Sequence, residues 1–235
     1  MDLVNGLWPR PSVERKKMFV ASAMRELHKV GLVGMHDAGV VPRDIALYDE
    51  MSKTEDWTLR VYAMLECLER NTFCPEEAIK VEHPDGMFTV RSVKLFADGA
   101  LGSWGSAMLE PYSDRPDTSG SLLVNASTLT SLARSWSAAG YQPTHATSDM
   151  AYAASRLGED RVRTSAYRMR SLLSTGLVLG SDFPVEPPNP FEGVYAAVAR
   201  RHPRTGKGPE GGWHGEEALS VEEALEGLRG GGSWG

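Results

Sequence analysis

Hydrophobic positions in this chain follow two patterns: short continuous apolar runs, and longer stretches with an apolar residue every three or four positions. The apolar runs predict four buried strands, at 31–37, 59–65, 88–97 and 177–181. The periodic stretches predict helices, at 12–29, 43–53, 75–81, 127–139, 165–175, 191–201 and 220–228. Ser12 is placed to cap the first helix, and Ser220 with Glu223 matches a capping box at the last.

The order of these elements predicts the fold class. Strands that are apolar throughout and alternate with helices are typical of a parallel sheet covered by helices. A closed (β/α)₈ barrel needs eight strands and typically about 250 residues. This chain has 235 residues and four clear strands. The pattern therefore predicts an α/β fold: an incomplete TIM (β/α)-barrel with parallel strands and outer helices.

Polar side chains occur where two of the predicted strands end. Lys94 and Asp98 lie in VKLFADGALGSWG, and Asp182 lies in LVLGSDFPVEP. Because a lysine or aspartate at such a place is costly to bury, it indicates a functional site, and catalytic groups of barrels gather at this end of the strands. The residues alone leave alternatives open. Lys94 also fits a lysine that extends its amine to solvent, and Asp182 fits a turn or capping residue.

Composition narrows the class of protein. The chain is 41% hydrophobic and 24% charged, with a net charge of −6 and the two signs interspersed, so nucleic acid is not an expected partner. No apolar run approaches the length of about 18 residues that suggests a membrane span, and no signal peptide is evident. Cys67 and Cys74 are expected to be thiols of a reduced, cytoplasmic protein. The glycine-rich tail, 229–235, is expected to be disordered.

Two familiar catalytic motifs can be excluded. The glycine-rich run at 99–105 lacks both the Gly-Lys-Ser/Thr ending of a phosphate-binding loop and the helix that should follow it. The chain has no Gly-x-Ser-x-Gly sequence, which argues against a serine hydrolase of the α/β-hydrolase type. Neither nucleotide binding nor serine catalysis is therefore expected.

Several long segments resemble the amidohydrolase 3 family of the metal-dependent amidohydrolase superfamily. They are LHKVGLVGMHDAGV, VKLFADGALGSWGSAMLEPYSD, PTHATSDM and LGEDRVRTSAYRMRSLLSTGLVLGSDFPVEPPNPFEGVYAAVAR. They occur in the order expected for the YtcJ-like subgroup, which includes N-substituted formamide deformylases. The resemblance implies a TIM-barrel domain with a small flanking β-domain. It also implies a hydrolase that acts on carbon–nitrogen bonds other than peptide bonds, such as amides or formamides.

The resemblance assigns roles to individual residues. Lys94 matches the strand lysine that the superfamily can carbamylate to bridge two metals. Asp182 matches the aspartate of the last strand, which binds metal and serves as general base. His145 and Asp98 are assigned to substrate binding. The expected cofactor is a divalent metal, zinc by preference, and the expected partner is a small amide-type substrate attacked by a metal-held hydroxide.

The chain departs from the family in its histidines. It has no His-x-His pair, and GYQ runs directly into PTHATSDM, where the family has its fifth, sixth and most of its seventh strand. The join at 142/143 therefore predicts an internal deletion within a partial barrel domain at 1–228. The last strands of the flanking β-domain are also expected to be missing. Because four histidine ligands are absent, we expect this chain to bind zinc weakly or not at all and its hydrolysis to be impaired.

A different class of function stays open at this point. A truncated barrel with no hydrolase activity could act as a fragment or an interaction protein. Open sheet edges and exposed apolar faces favour association, so a homo-oligomer is one expected outcome. A different α/β enzyme on the same face is a third alternative, although no other catalytic set is visible in the sequence.

Overall fold

The computed structural model describes residues 9–229 except 78, 136–142 and 176. At 126, 130, 133–135, 143–145, 172, 174 and 175 it describes the backbone alone. Contacts divide the chain into two compact units, Met1–Leu95 and Phe96–Gly235, each of which is considered by itself.

The described residues of the first unit form a four-stranded sheet with two helices. Its elements in chain order are α1 (Val13–Lys29), β1 (Gly34–Val40), α2 (Pro42–Met51), β2 (Arg60–Leu65), β3 (Val81–Glu82) and β4 (Phe88–Val93). The strand order is β1-β2-β4-β3. Strands β1, β2 and β4 are parallel, and β3 pairs antiparallel with β4. The predicted α/β class with parallel strands is confirmed.

The sequence pattern explains how this unit packs. The Oγ of Ser12 accepts a hydrogen bond from the Arg15 amide, which begins α1 where the sequence predicts it. The helix buries Met24 and Leu27. Strand β2 alternates between buried and half-buried residues, and it shares its core with aromatic and aliphatic side chains of its neighbours. They include Ile45, Trp57, Leu59 and Phe88.

The second unit is built from short helices and loops. It contains α3 (Ala126–Ser135), α4 (Pro143–Asp149), α5 (Ala153–Leu157), α6 (Glu159–Ser165), α7 (Pro190–Ala199) and α8 (Val221–Leu228). Short 3₁₀ helices occur at Leu101–Ser103, Arg170–Thr175 and Gly215–Glu217. Helix α4 packs against α7, and α7 packs against α8. The predicted capping box of Ser220 and Glu223 is confirmed at the start of α8.

Three predicted elements are corrected. Residues 75–77 form turns rather than a helix, and Val81 instead pairs with Val90 as part of β3. Pairing with β4 therefore outweighs the local helical pattern. The predicted helix at 165–175 divides into the end of α6 and a 3₁₀ helix, with Tyr167 between them at a φ of +53°.

The third correction concerns 177–181, which is not a strand. Leu179 is buried, and its amide donates a hydrogen bond to the carbonyl of Gly227 at 2.9 Å. A strand needs a neighbouring strand to satisfy its backbone groups, and the described residues of this unit include no named strand. The amide of Leu179 is therefore satisfied at the end of α8 instead.

The cysteines are also corrected. Cys67 and Cys74 form a disulfide, with Cα atoms 6.0 Å apart and both side chains buried. The loop after β2 brings the two residues within the range that a disulfide bridges. The expectation of free thiols is therefore wrong, and the cysteines no longer argue for a reducing compartment. In the described part of the chain, no helix has the length and apolarity needed to cross a membrane.

Candidate functional site

Lys94 lies at the carboxyl edge of the parallel sheet in the first unit. Its amide donates to the carbonyl of Leu65 at 2.8 Å, which continues the β2–β4 ladder by one residue beyond β4. The amide of Glu66 likewise donates to the carbonyl of Val40 at 3.0 Å. Lys94 and Glu66 thus begin the loops after adjacent parallel strands. This is the edge where barrels place their functional groups.

Glu66 is a candidate that the sequence reasoning missed. Its Oε1 accepts a hydrogen bond from Nε of Arg70 at 3.3 Å. A Cβ built on Gly39 would lie 3.1 Å from its Oε2, so this carboxylate rests against the backbone of the neighbouring strand. The signal was available, because Glu66 is the first residue after a predicted strand. The same rule that selected Lys94 would have selected it.

Asp37 lies within β1 rather than at its end. Its carboxylate is half-buried and accepts a hydrogen bond from the Tyr48 hydroxyl at 3.1 Å. Burial raises the pKa of Asp37, and the Tyr48 hydrogen bond offsets part of that rise. The neighbouring His36 packs its ring against Tyr62, with centroids 5.0 Å apart. These contacts give both residues a packing role.

Asp98 organises a loop in the second unit. Its Oδ2 accepts a hydrogen bond from the Ala107 amide at 2.9 Å, and its backbone forms an antiparallel bridge with Leu122. Within the same loop the Gly99 amide donates to the Gly105 carbonyl at 3.1 Å. One oxygen of the predicted substrate-binding carboxylate is therefore used to hold the loop closed.

Asp182 begins a tight turn in the second unit. Its carbonyl accepts a hydrogen bond from the Val185 amide at 2.8 Å, its φ is +55°, and the residue is exposed. Aspartate tolerates this left-handed conformation better than most residues. The predicted metal ligand and base thus lies in an exposed turn, where the expectation was the mouth of a strand.

His145 lies in α4, and its side chain falls outside the described part of the structure. Four residues further along α4, Asp149 accepts hydrogen bonds from the hydroxyls of Tyr152 and Tyr167. Burial, followed by the hydrogen bond to Asp149, raises the pKa of Tyr152 to about 12. The same causes raise the pKa of Tyr167. Both tyrosines therefore stay protonated and donate to Asp149 at neutral pH.

The donor side chains that the structure describes do not form a complete metal centre. In the described ranges, no group of three or more histidine, cysteine, aspartate or glutamate side chains is placed to hold a metal ion. A metal site requires at least three protein ligands in most hydrolases. Lys94 belongs to the first unit, and Asp98, His145 and Asp182 belong to the second. We therefore assign no metal-dependent step to the residues of this chain.

Solved structures define the class of protein by its fold. A crystal structure described as an uncharacterized metal-dependent hydrolase of Pyrococcus furiosus superposes with a TM-score of 0.72 at 23% identity. A second, with the same description, from Pyrococcus horikoshii OT3, gives 0.73 at 21%. Each match covers 92% of this chain and 54% of the other. The chain has the α/β fold of this class, in the form of an incomplete barrel.

The family follows from the sequence itself. The sequence model of the amidohydrolase family matches residues 2–125 and 113–234, which together take in nearly the whole chain. The chain belongs to the amidohydrolase family, and the predicted family membership is confirmed.

Two curated proteins are similar to parts of this chain. YtcJ of Bacillus subtilis (strain 168), named as an amidohydrolase, is 27% identical over an alignment of 192 positions, which covers 57% of this chain and 36% of YtcJ. Protein LONG AFTER FAR-RED 3 of Arabidopsis thaliana is 35% identical over 89 residues, which cover 37% of this chain and 15% of that protein. The chain thus spans about a third or less of these relatives.

Proposed function

We propose that this chain derives from a metal-dependent hydrolase of non-peptide carbon–nitrogen bonds, such as amides or formamides, and that hydrolysis is impaired in this form. The family match over nearly the whole chain is the observation that carries the first half of the proposal. The donor set carries the second half, because the described side chains include no group of three or more that fits a metal.

One feature of the comparisons supports an internal loss of family sequence. The alignment with YtcJ has 192 positions but covers 57% of this 235-residue chain, so it contains gaps in this chain. The two family-model matches overlap at 113–125, so they do not locate the join. The proposed join at 142/143 borders the residues that the structure does not describe.

The roles of Lys94 and Asp182 can be tested in a chain whose missing barrel segment is restored from the same genomic locus. We expect Lys94→Ala and Asp182→Asn each to reduce formamide hydrolysis by about a hundredfold or more, as the loss of a ligand or a general base does. Lys80→Ala and Asp160→Asn change the same charges at exposed positions of the same units and serve as controls. Equal rates in all four variants would contradict the assigned roles.

A non-catalytic interaction protein is the second candidate. Strand β1 is an edge strand of its sheet, and Phe183, Val185 and Phe191 are 46%, 68% and 66% exposed. Open edges and exposed apolar side chains favour association. Light scattering after size exclusion tests this candidate. A defined oligomer supports it, whereas a monomer up to about 100 μM argues against it.

A further inference from the structure

A small cleft lies in the second unit, and its described lining does not include Asp98 or Asp182. It has a volume of about 200 Å³ and is lined by Ser148, Glu186, Pro187, Glu192, His202, Pro203 and Arg204. This volume holds roughly six to seven water molecules, which is enough for a ligand of a few non-hydrogen atoms. The cleft is formed by α4, by the loop before α7, by the first turn of α7 and by the turn after it.

Most of the charge in this cleft is already neutralised. The Nε of Arg204 lies 3.3 Å and 3.2 Å from the two carboxylate oxygens of Glu192, so these residues form an ion pair in the lining of the cleft. The Nδ1 of His202 accepts a hydrogen bond from the Arg204 amide at 3.3 Å. In the neutral imidazole the proton therefore lies on Nε2, which makes this atom a hydrogen-bond donor.

Glu186 is the exception. Its Oε1 accepts a hydrogen bond from Oγ of Ser148 at 2.6 Å. The ion pairs in the described part of the chain do not include this carboxylate, and the residue is half-buried. The cleft therefore carries one uncompensated negative charge, whose orientation is set by Ser148. A charged hydrogen bond to a partly buried carboxylate is stronger than one between neutral groups.

We propose that this cleft binds a primary ammonium group on a short alkyl chain. The ammonium donates to Glu186, and the chain lies against the rings of Pro187 and Pro203. An anion is disfavoured, because Arg204 is already paired with Glu192 and Glu186 would repel it. Binding of an amine does not depend on catalysis. If the proposed function is correct, the cleft is also a subsite for the amine that is released from an amide substrate. That second role rests on the proposed function.

Titration with n-propylammonium chloride, followed by ¹H–¹⁵N NMR, tests the proposal on the full chain. We expect saturable shifts of the amides of Ser148, Glu186 and His202, with a dissociation constant on the order of millimolar for so small a ligand. Sodium chloride at the same ionic strength and n-propanol should not produce these shifts, because the first lacks the alkyl ammonium and the second lacks the charge.

Two charge-matched variants locate the interaction. Glu186→Gln should weaken binding about tenfold, and Glu226→Gln, on the exposed face of α8, should leave it unchanged. Ser148→Ala provides a milder test that retains the carboxylate, and we expect about a threefold loss. Equal weakening by Glu186→Gln and Glu226→Gln would overturn the proposal, as would saturable shifts with n-propanol or none with n-propylammonium. Amine binding without hydrolysis would leave the cleft assignment intact and count against the proposed function alone.

Discussion

At the scale of single residues, the surroundings of Lys94 and Glu66 differ from those of Asp182. Lys94 lies at the carboxyl edge of the sheet, where the strand pattern puts it, and Glu66 on the adjacent strand follows the same rule. Asp182 was equally visible in sequence, yet it begins an exposed turn. The difference is physical. A local apolar run predicts burial, but whether the run becomes a strand depends on a neighbour that is distant in sequence.

Asp37 provides a test of how burial acts on a charged group. Because its pKa is raised in the folded state, the folded chain binds the proton more tightly than the unfolded chain does. This contribution to stability is complete below the ordinary aspartate pKa of 3.8 and is lost as the pH rises through the raised pKa. Asp37→Asn should therefore increase the free energy of unfolding at pH 7, while Tyr48 donates to the new amide oxygen.

The pH dependence separates this effect from simple packing. The gain from Asp37→Asn should shrink as the pH falls towards 3.8 in urea unfolding experiments. Asp56→Asn, at an exposed position of the same unit, should leave stability unchanged within about 0.5 kcal/mol. A loss of stability in Asp37→Asn that is equal at pH 4 and pH 7 would show that the carboxylate stabilises the fold.

Gly39 tests the close approach of Glu66 to β1. Its φ is +146°, and an added Cβ would lie 3.1 Å from the Glu66 carboxylate. Gly39→Ala should lower the free energy of unfolding by about 1–3 kcal/mol, from strained backbone and crowding together. Gly86→Ala is a comparison without the contact, because nothing lies within 4 Å of its added Cβ, although its φ of +69° strains alanine less than +146° does.

The double variant separates the contact with Glu66 from backbone strain. Gly39→Ala should cost more than Gly86→Ala in thermal and urea unfolding. Adding Glu66→Ala to Gly39→Ala should recover part of that excess. No recovery in the double variant would leave backbone strain as the whole effect and remove the contact.

At the scale of elements, local signals predicted the helices with clear caps and the strands that pair with sequence neighbours. Helix α1 with Ser12, helix α8 with its capping box, and the first three predicted strands are all present. The segments at 75–81, 165–175 and 177–181 were predicted wrongly. In each, a contact with a distant part of the chain or a left-handed residue decides the structure, and neither is visible in a short sequence window.

The disulfide in the loop after β2 was not predicted from the sequence, which favoured two free thiols. Cys67 and Cys74 are seven positions apart. Closing so short a loop removes conformational entropy from the unfolded chain worth about 2.5 kcal/mol. The double variant Cys67→Ser/Cys74→Ser should therefore unfold at lower urea concentration than the oxidised protein.

A reductant provides the control for this prediction. Dithiothreitol during unfolding should lower the stability of the wild type towards that of the double variant and leave the double variant unchanged. Equal stability of the wild type and the double variant without reductant would show that the bond is not formed in the purified protein.

At the scale of the whole molecule, the family was readable from sequence because long motifs survive in order, and the family match confirms it. The catalytic centre could not be predicted from the sequence in the same way. A metal site needs several ligands brought together from different strands, and the sequence lacks the histidines that would supply them. Substrate is a property of the loops between strands, and the proposed deletion would remove some of them.

The most direct test compares this 235-residue chain with a version in which the barrel segment proposed to be missing is restored. Zinc per chain is measured by mass spectrometry after dialysis, together with formamide and amide hydrolysis by both proteins. We expect close to stoichiometric zinc and measurable turnover in the restored protein, and neither in the 235-residue chain. Tightly bound zinc with turnover in the 235-residue chain would show that its own residues assemble a complete metal shell, and hydrolysis would then not be impaired in this form.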